Sequence, residues 1–264
     1  MKRIWLWISA MLVCVPAAGA VFGAEKLYDV RDYGAEADGK TLCTEAIQKA
    51  IDECFKAGGG AVYLGAGTFV SGTLVIKTGV TLRLEAGCTL SGSEDLNDYP
   101  PKVQEFRSYT DNYTDKSLIY AEKAERIAIV GRGTIDGRGA AFKGPYKVRP
   151  YIIRFIQCKD VTVEEITIID SPMWVQHYLS CEDVHIAGIT VRSRVNANND
   201  GIDIDCSERV RISDCDISSG DDAIVLKSTA ARPCRNVVIT NCVLSSRCNA
   251  LKLGTETNGG FENI

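Results

Sequence analysis

Lys159-Asp160-Val161-Thr162-Val163, Glu182-Asp183-Val184-His185-Ile186, Glu208-Arg209-Val210-Arg211-Ile212 and Arg235-Asn236-Val237-Val238-Ile239 are four copies of one phrase. Their anchor valines, at 161, 184, 210 and 237, are 23, 26 and 27 residues apart. Each copy continues as an alternation, as in Val184-His185-Ile186-Ala187-Gly188-Ile189-Thr190-Val191. Alternating β-branched residues give a strand one apolar face, whereas a helix needs apolar residues every three or four positions. Short strands recurring at this period predict a solenoid in which each coil packs only on its neighbours. Val80-Thr81-Leu82-Arg83-Leu84 and Arg126-Ile127-Ala128-Ile129-Val130 extend the same style towards the amino terminus. The expected fold class is therefore all-β, a parallel β-helix.

One segment departs from the alternation. In Thr44–Phe55 the residues Ile47, Ala50, Ile51, Cys54 and Phe55 share one helical face, with Thr44 suited to the N-cap and Gly58-Gly59-Gly60 to the stop. An amphipathic helix ahead of the first coil would cover a sheet edge that otherwise leaves backbone groups unpaired. At the other end Phe261-Glu262-Asn263-Ile264 reads as the start of another repeat, with Ile264 placed 27 residues after Val237. No capping element follows, so the β-helix domain, read as 25–264, is expected to be incomplete at its carboxyl end.

The chain has 264 residues, 45% hydrophobic and 24% charged, enough to bury a core and too apolar for disorder. A net charge of −4 gives no support for a nucleic-acid partner. Lys2 and Arg3, the apolar run Ile4–Val15 and the small residues Ala18-Gly19-Ala20 predict a cleaved signal peptide within residues 1–24. The expected location is secreted or periplasmic, with no membrane span after cleavage. Ten cysteines follow Cys14; Cys158, Cys181, Cys206 and Cys234 recur at nearly one phase of the repeat, as do Cys215 and Cys242. Stacked small apolar side chains explain that phase better than bridges do. No CxxC or Cys/His spacing implies a metal.

A second strand of each coil registers on its apolar residues. Gly201-Ile202-Asp203-Ile204 matches Ala223-Ile224-Val225-Leu226 and then Ala250-Leu251-Lys252-Leu253. That register puts Asp200, Asp222 and Asn249 in one column, about 4.8 Å apart from coil to coil, with Asp221 offset beside it. Carboxylates so close do not all ionise easily, and one raised pKa would supply an acid next to a charged base. Asp200 and Asp222 are suited to hold and deprotonate a water and Asp221 to protonate a leaving oxygen, which would cleave a glycosidic bond with inversion. The other reading of the same residues is that Asp and Asn mark turns between coils.

Beyond the aspartates, Val30-Arg31-Asp32-Tyr33-Gly34-Ala35, Asp38-Gly39, the cap helix, Gly133-Thr134-Ile135-Asp136-Gly137, Ser171-Pro172-Met173-Trp174, Asn198-Asn199-Asp200-Gly201 and Gly220-Asp221-Asp222 follow in order. On these motifs the chain resembles the polygalacturonase-type glycoside hydrolases of family 28. The resemblance implies a right-handed parallel β-helix hydrolysing pectic polysaccharide with no cofactor and no metal. It also implies Asp221 as the general acid and Asp200 with Asp222 as the pair activating water. Asn199 stands where the family has Thr, and Cys248-Asn249-Ala250 stands where it has Gly-His-Gly. The family's Arg-Ile-Lys motif, which holds the substrate carboxylate, would come further on. Asn199, Asn249, Lys227, Lys252 and His177 are the candidate substrate contacts.

Other signals are weaker. Ile129–Gly139 has the glycine spacing of a dinucleotide loop, but Gly144-Pro145 follows in place of a helix, so a turn is expected. His185 alternates with Val184 and Ile186 and is read as structural. Trp174 is suited equally to a sugar face or to the core. Residues 93–115 form a polar excursion expected to wall one side of a groove. Two rival functions remain open. Asp200, Asp203 and Asp205 would gather calcium for a lyase on the same solenoid, and a non-catalytic glycan-binding β-helix needs none of this chemistry.

Overall fold

A computed structural model describes residues 26–264; the expected signal peptide lies outside the described residues. Among the described residues the strands form three parallel sheets, of nine, eight and seven strands. The four repeat phrases are adjacent strands of the nine-stranded sheet, with Val161, Val184, Val210 and Val237 in one register. Cys234 pairs with Phe261, so the next pass begins where the 27-residue spacing puts it.

From each of these strands the chain turns into the eight-stranded sheet, as at Thr167–Ile169, Thr190–Ser193, Asp216–Ser219 and Val243–Ser246. It then turns into the seven-stranded sheet, at Gln176–Leu179, Ile202–Asp205, Ile224–Ser228 and Leu251–Thr257. One strand from each sheet makes one coil of a right-handed parallel β-helix. Valine, isoleucine and leucine ladders from all three sheets meet inside as one continuous core. A parallel sheet bonds every inner backbone group to the coils above and below, and the stacked aliphatics exclude water from those bonds.

The corners are set by single residues in the left-handed backbone region. Asp160, Asp183, Arg209 and Asn236 share one column, all with φ between 54° and 56°. Asp and Asn tolerate this conformation better than most residues. Arg209 does not have that advantage; its guanidinium is held by Asp183, Glu182 and Glu208 instead.

The helix Thr44–Lys56 buries Ile47, Ala50, Ile51 and Cys54 over the first coils. Two details differ from the sequence reading. Phe55 lies at the margin of the face, 44% exposed, with the Lys77 ammonium 5.5 Å from its ring centroid. The N-cap is Cys43, without a side-chain capping bond; Thr44 is the first helical residue, and its hydroxyl accepts from Gly72 N at 2.7 Å. Thr44 thus ties the helix to the sheet and does not close the helix end.

Cysteines Cys43 to Cys248 are free, and most are buried. The proposed stack needs one correction. Lys159, Glu182, Glu208 and Arg235 are register partners, so the column just before them is Cys158, Cys181, Ser207 and Cys234. Cys206 faces out, against Tyr120, Ile156 and Leu179. Its place is taken by Ser207, whose hydroxyl accepts from Cys181 N at 2.8 Å and donates to Tyr178 O at 2.9 Å. The glycine-rich stretch after Ile129 is a turn between the strands Glu125–Val130 and Thr134–Asp136, as expected.

Candidate active site

The site is built where the chain enters the seven-stranded sheet. Ile202, Ile224 and Leu251 are register partners, so Asp200, Asp222 and Asn249, two residues before each, stand in one column. The backbone bonds Gly201 N to Asp222 O (2.9 Å) and Ala223 N to Asn249 O (2.8 Å) fix it. Asp221 sits in the turn ahead of this column. Its carbonyl accepts from the hydroxyls of Ser219 and Ser246, at 2.7 and 2.6 Å. The turn therefore returns the Asp221 carboxylate to within 4.8 Å of those of Asp222 and the Cys248 thiol.

Asp222 is fully bonded: Oδ1 accepts from Asn249 N (3.0 Å) and Nδ2 (2.6 Å), and Oδ2 from Lys252 Nζ (2.8 Å). Burial works against its charge, but Lys252 and Asn249 outweigh it and hold the carboxyl below its ordinary range. Asp200 is the opposite case. Burial, then the charges of Asp221 and Asp222, push its carboxyl up to about 7 against the pull of Lys227 and Lys252. Its Oδ1 is out of solvent and has no partner. An oxygen so placed requires a donor, and a water held against Asp222 would supply one.

These groups titrate as a cluster, and a pH dependence follows. Between pH 4 and 7 the native state holds a proton on Asp200 that the unfolded chain, with an ordinary Asp near 3.9, has released. Stability from this group therefore falls as pH rises to about 7 and is level beyond. In melts from pH 5 to 8, the stability of Asp200→Asn relative to the parent is expected to rise with pH and then level off. A constant difference would remove the assignment.

Not every predicted site residue reaches the surface. Asn199 is buried: Nδ2 donates to Ser171 O and Met173 O, and Oδ1 accepts from Asn196 N. It is consumed as a turn pin and has no group left for a sugar. His177 is buried as well, stacked on Tyr151, edge-on to Trp174, with Nε2 3.1 Å from Asp205 Oδ2. Burial lowers its imidazole, although Asp205 pulls the other way. It belongs to the wall beneath the site and is not a sugar contact. Lys227 is 4% exposed; its Nζ lies 4.7 Å from the Trp174 ring centroid, 3.2 Å from Glu256 and 3.9 Å from Asp203. Lys252 and Asn249 do converge on Asp222. Trp174 is 4% exposed and packs in the wall. His185 is on an outer face beside Glu164, 3.3 Å away.

Two contributors went unread in the sequence. Cys248 is the register partner of Asp221, as Asn249 is of Asp222, and its thiol lies within 4.8 Å of the Asp221 carboxylate. The repeat offset alone would have found it. Glu256 bridges Lys227 and Tyr113 from a coil away, and no spacing marks it. Asp200, Asp203 and Asp205 do not gather as a ligand set: Asp205 is committed to Thr229 and His177. Among the described residues no helix is long and apolar enough to cross a membrane.

The model of the glycosyl hydrolases family 28 matches residues 55–255. A probable polygalacturonase of Vitis vinifera is 32% identical over 259 residues, covering 88% of this chain and 52% of that protein. The crystal structure of a hyperthermoactive exopolygalacturonase from Thermotoga maritima superposes with a TM-score of 0.80 at 27% identity, covering 90% of this chain and 65% of that one. A surface adhesin of Streptococcus pneumoniae, PfbA, shares the fold alone, at TM-score 0.65 and 17% identity over 86% of this chain and 63% of that one. The chain spans about half the length of the curated relatives it matches.

Proposed function

We propose a function from one premise: the chain belongs to the glycosyl hydrolases family 28. The protein hydrolyses the backbone of a pectic polysaccharide outside the cytoplasm, without a cofactor. The observation that carries this reading is the convergence of Asp221 on the Asp200–Asp222 column at one corner of the coil. The adhesin's shared fold supports no chemistry; the carboxylates do.

Asp221, the more exposed of the three, protonates the leaving oxygen. Asp222, ionised and clamped by Lys252 and Asn249, takes the proton from a water that Asp200 helps to hold. Asp221 and Asp222 are closer than the roughly 6.5–9.5 Å usual for an inverting pair. The unpartnered oxygen of Asp200, one coil back, gives the water a further acceptor beside Asp222. A clamped Asp222 with both oxygens bonded is a poor nucleophile, which favours inversion over a covalent intermediate.

The test is product chemistry on polygalacturonate and on rhamnogalacturonan. Hydrolysis gives new reducing ends, no unsaturated-uronate absorbance and no loss of rate in chelator. Unsaturated ends with chelator sensitivity would establish the lyase instead, and glycan binding with no bond cleavage would establish a binding module.

A further inference from the structure

The register column of the aspartates extends backwards through Trp174 to Tyr151. Beside it Asp221 is half-buried, whereas along it Asp222, Asp200 and Trp174 are almost wholly covered and Tyr151 has no exposure. The rest of the outer face of this sheet is covered too: Arg154, His177, Asp203 and Asp205 are all buried although they point away from the core.

The cover is the excursion between Gly92 and Ser117, and it is fastened at several points. Tyr113 stands edge-on to Trp174 at 5.1 Å, and its hydroxyl donates to Glu256 at 3.0 Å. Tyr109 N donates to Thr229 O at 3.0 Å, and Arg154 donates to Thr114 O. On the other side Arg149, itself buried, donates to Pro172 O, Ala197 O and Asn198 Oδ1 at 2.9, 2.8 and 3.1 Å. An aromatic contact, side-chain hydrogen bonds and a backbone bond together make this a wall and not a loose loop.

We propose that the groove is a dead end on the Trp174 side of Asp200, so that a pectic chain reaches the aspartates only by one of its ends. A polymer laid along the coils would have to pass over Trp174 and Tyr151, where no surface is open to it. The protein is then an exo-acting hydrolase that removes a short unit per encounter. This rests on the hydrolase reading above and adds the direction of approach.

The full chain is tested on long polygalacturonate by following viscosity and reducing ends together. Exo action raises reducing ends while viscosity barely changes; a collapse in viscosity while few ends have appeared overturns the inference. Absence of new ends rejects the hydrolase reading and leaves the second measurement to decide the inference. There, Asp221→Asn is titrated calorimetrically with oligogalacturonides that are free, reduced at one end, or blocked at the other. A dead end predicts that one of the two end modifications weakens binding at least tenfold. In the Asp221→Asn background, Tyr113→Gly, which opens the wall, should recover that loss, and Tyr113→Phe, which keeps the ring, should not. Equal affinity for free and end-modified oligomers, or no binding of any, overturns the proposal.

Discussion

Asp221→Asn is expected to lower kcat on a pectic polysaccharide by about a thousandfold, the size of effect a positioned general acid supplies, with KM changed little. The asparagine fills the same volume and cannot donate a carboxyl proton. Asp221 contributes its carbonyl, not its side chain, to the bonds from Ser219 and Ser246, so the turn survives the change. A fold-neutral loss of kcat is therefore the signature. A glycoside with an activated aryl leaving group separates acid from base, because such a group departs without protonation. Asp221→Asn should regain most of its rate on that substrate. Asp222→Asn should not, because the water still lacks its base. Equal losses on both substrates, or a loss traced to unfolding, would remove Asp221 from the acid role.

The largest effect on stability is expected at Asp205. It has no exposure, yet it is charged and fully engaged: Oδ1 accepts from Thr229 N at 3.0 Å, and Oδ2 from the Thr229 hydroxyl at 2.6 Å and from His177 at 3.1 Å. Burial opposes the charge, but the bonds from His177 and Thr229 outweigh it and keep the carboxyl below its ordinary range. Asp205→Ala leaves a backbone amide, a hydroxyl and an imidazole without partners in a dry place. Breaking a buried pair in this way costs about 3–5 kcal/mol. Asp205→Asn keeps an acceptor for Thr229 and should lose less. A carboxyl depressed in the native state adds stability above its unfolded pKa near 3.9 and loses it as pH falls through the native value. The gap between parent and Asp205→Ala should therefore be full at pH 7 and shrink in acid. Urea titrations at both pH values check this; a gap under about 1 kcal/mol at pH 7 would show that the site relaxes.

The fold was legible because a solenoid repeats its register, and Val161, Val184, Val210 and Val237 state that register without structural help. The aspartate column was legible for the same reason, since residues at equal offsets from Ile202, Ile224 and Leu251 must stack. What failed to show was anything dependent on cover. Asn199, His177 and Lys227 lie where a bare coil would expose them; Asn199 is pinned by Asn196, Ser171 and Met173, His177 packs on Tyr151 and Trp174, and Lys227 is held between Trp174 and Glu256. Cys206 misled by one position, because a left-handed residue at that corner turns its side chain outward. Periodicity reports neighbours along the stack and is silent about segments that fold back over it.

The corners of the coil differ in how much length they allow. From the nine- to the eight-stranded sheet the chain crosses in near-constant steps: Glu164 to Thr167, Ala187 to Thr190, Ser213 to Asp216, Thr240 to Val243. Into the seven-stranded sheet the crossings range from Ser71–Leu74 and Ser219–Ile224 to Ser193–Ile202, Asp136–Tyr151 and Gly92–Ser117. Insertions and deletions are thus channelled to the one rim that carries the carboxylates. Such a scaffold can swap what it admits by lengthening or trimming those crossings, and its inner ladders never feel the exchange.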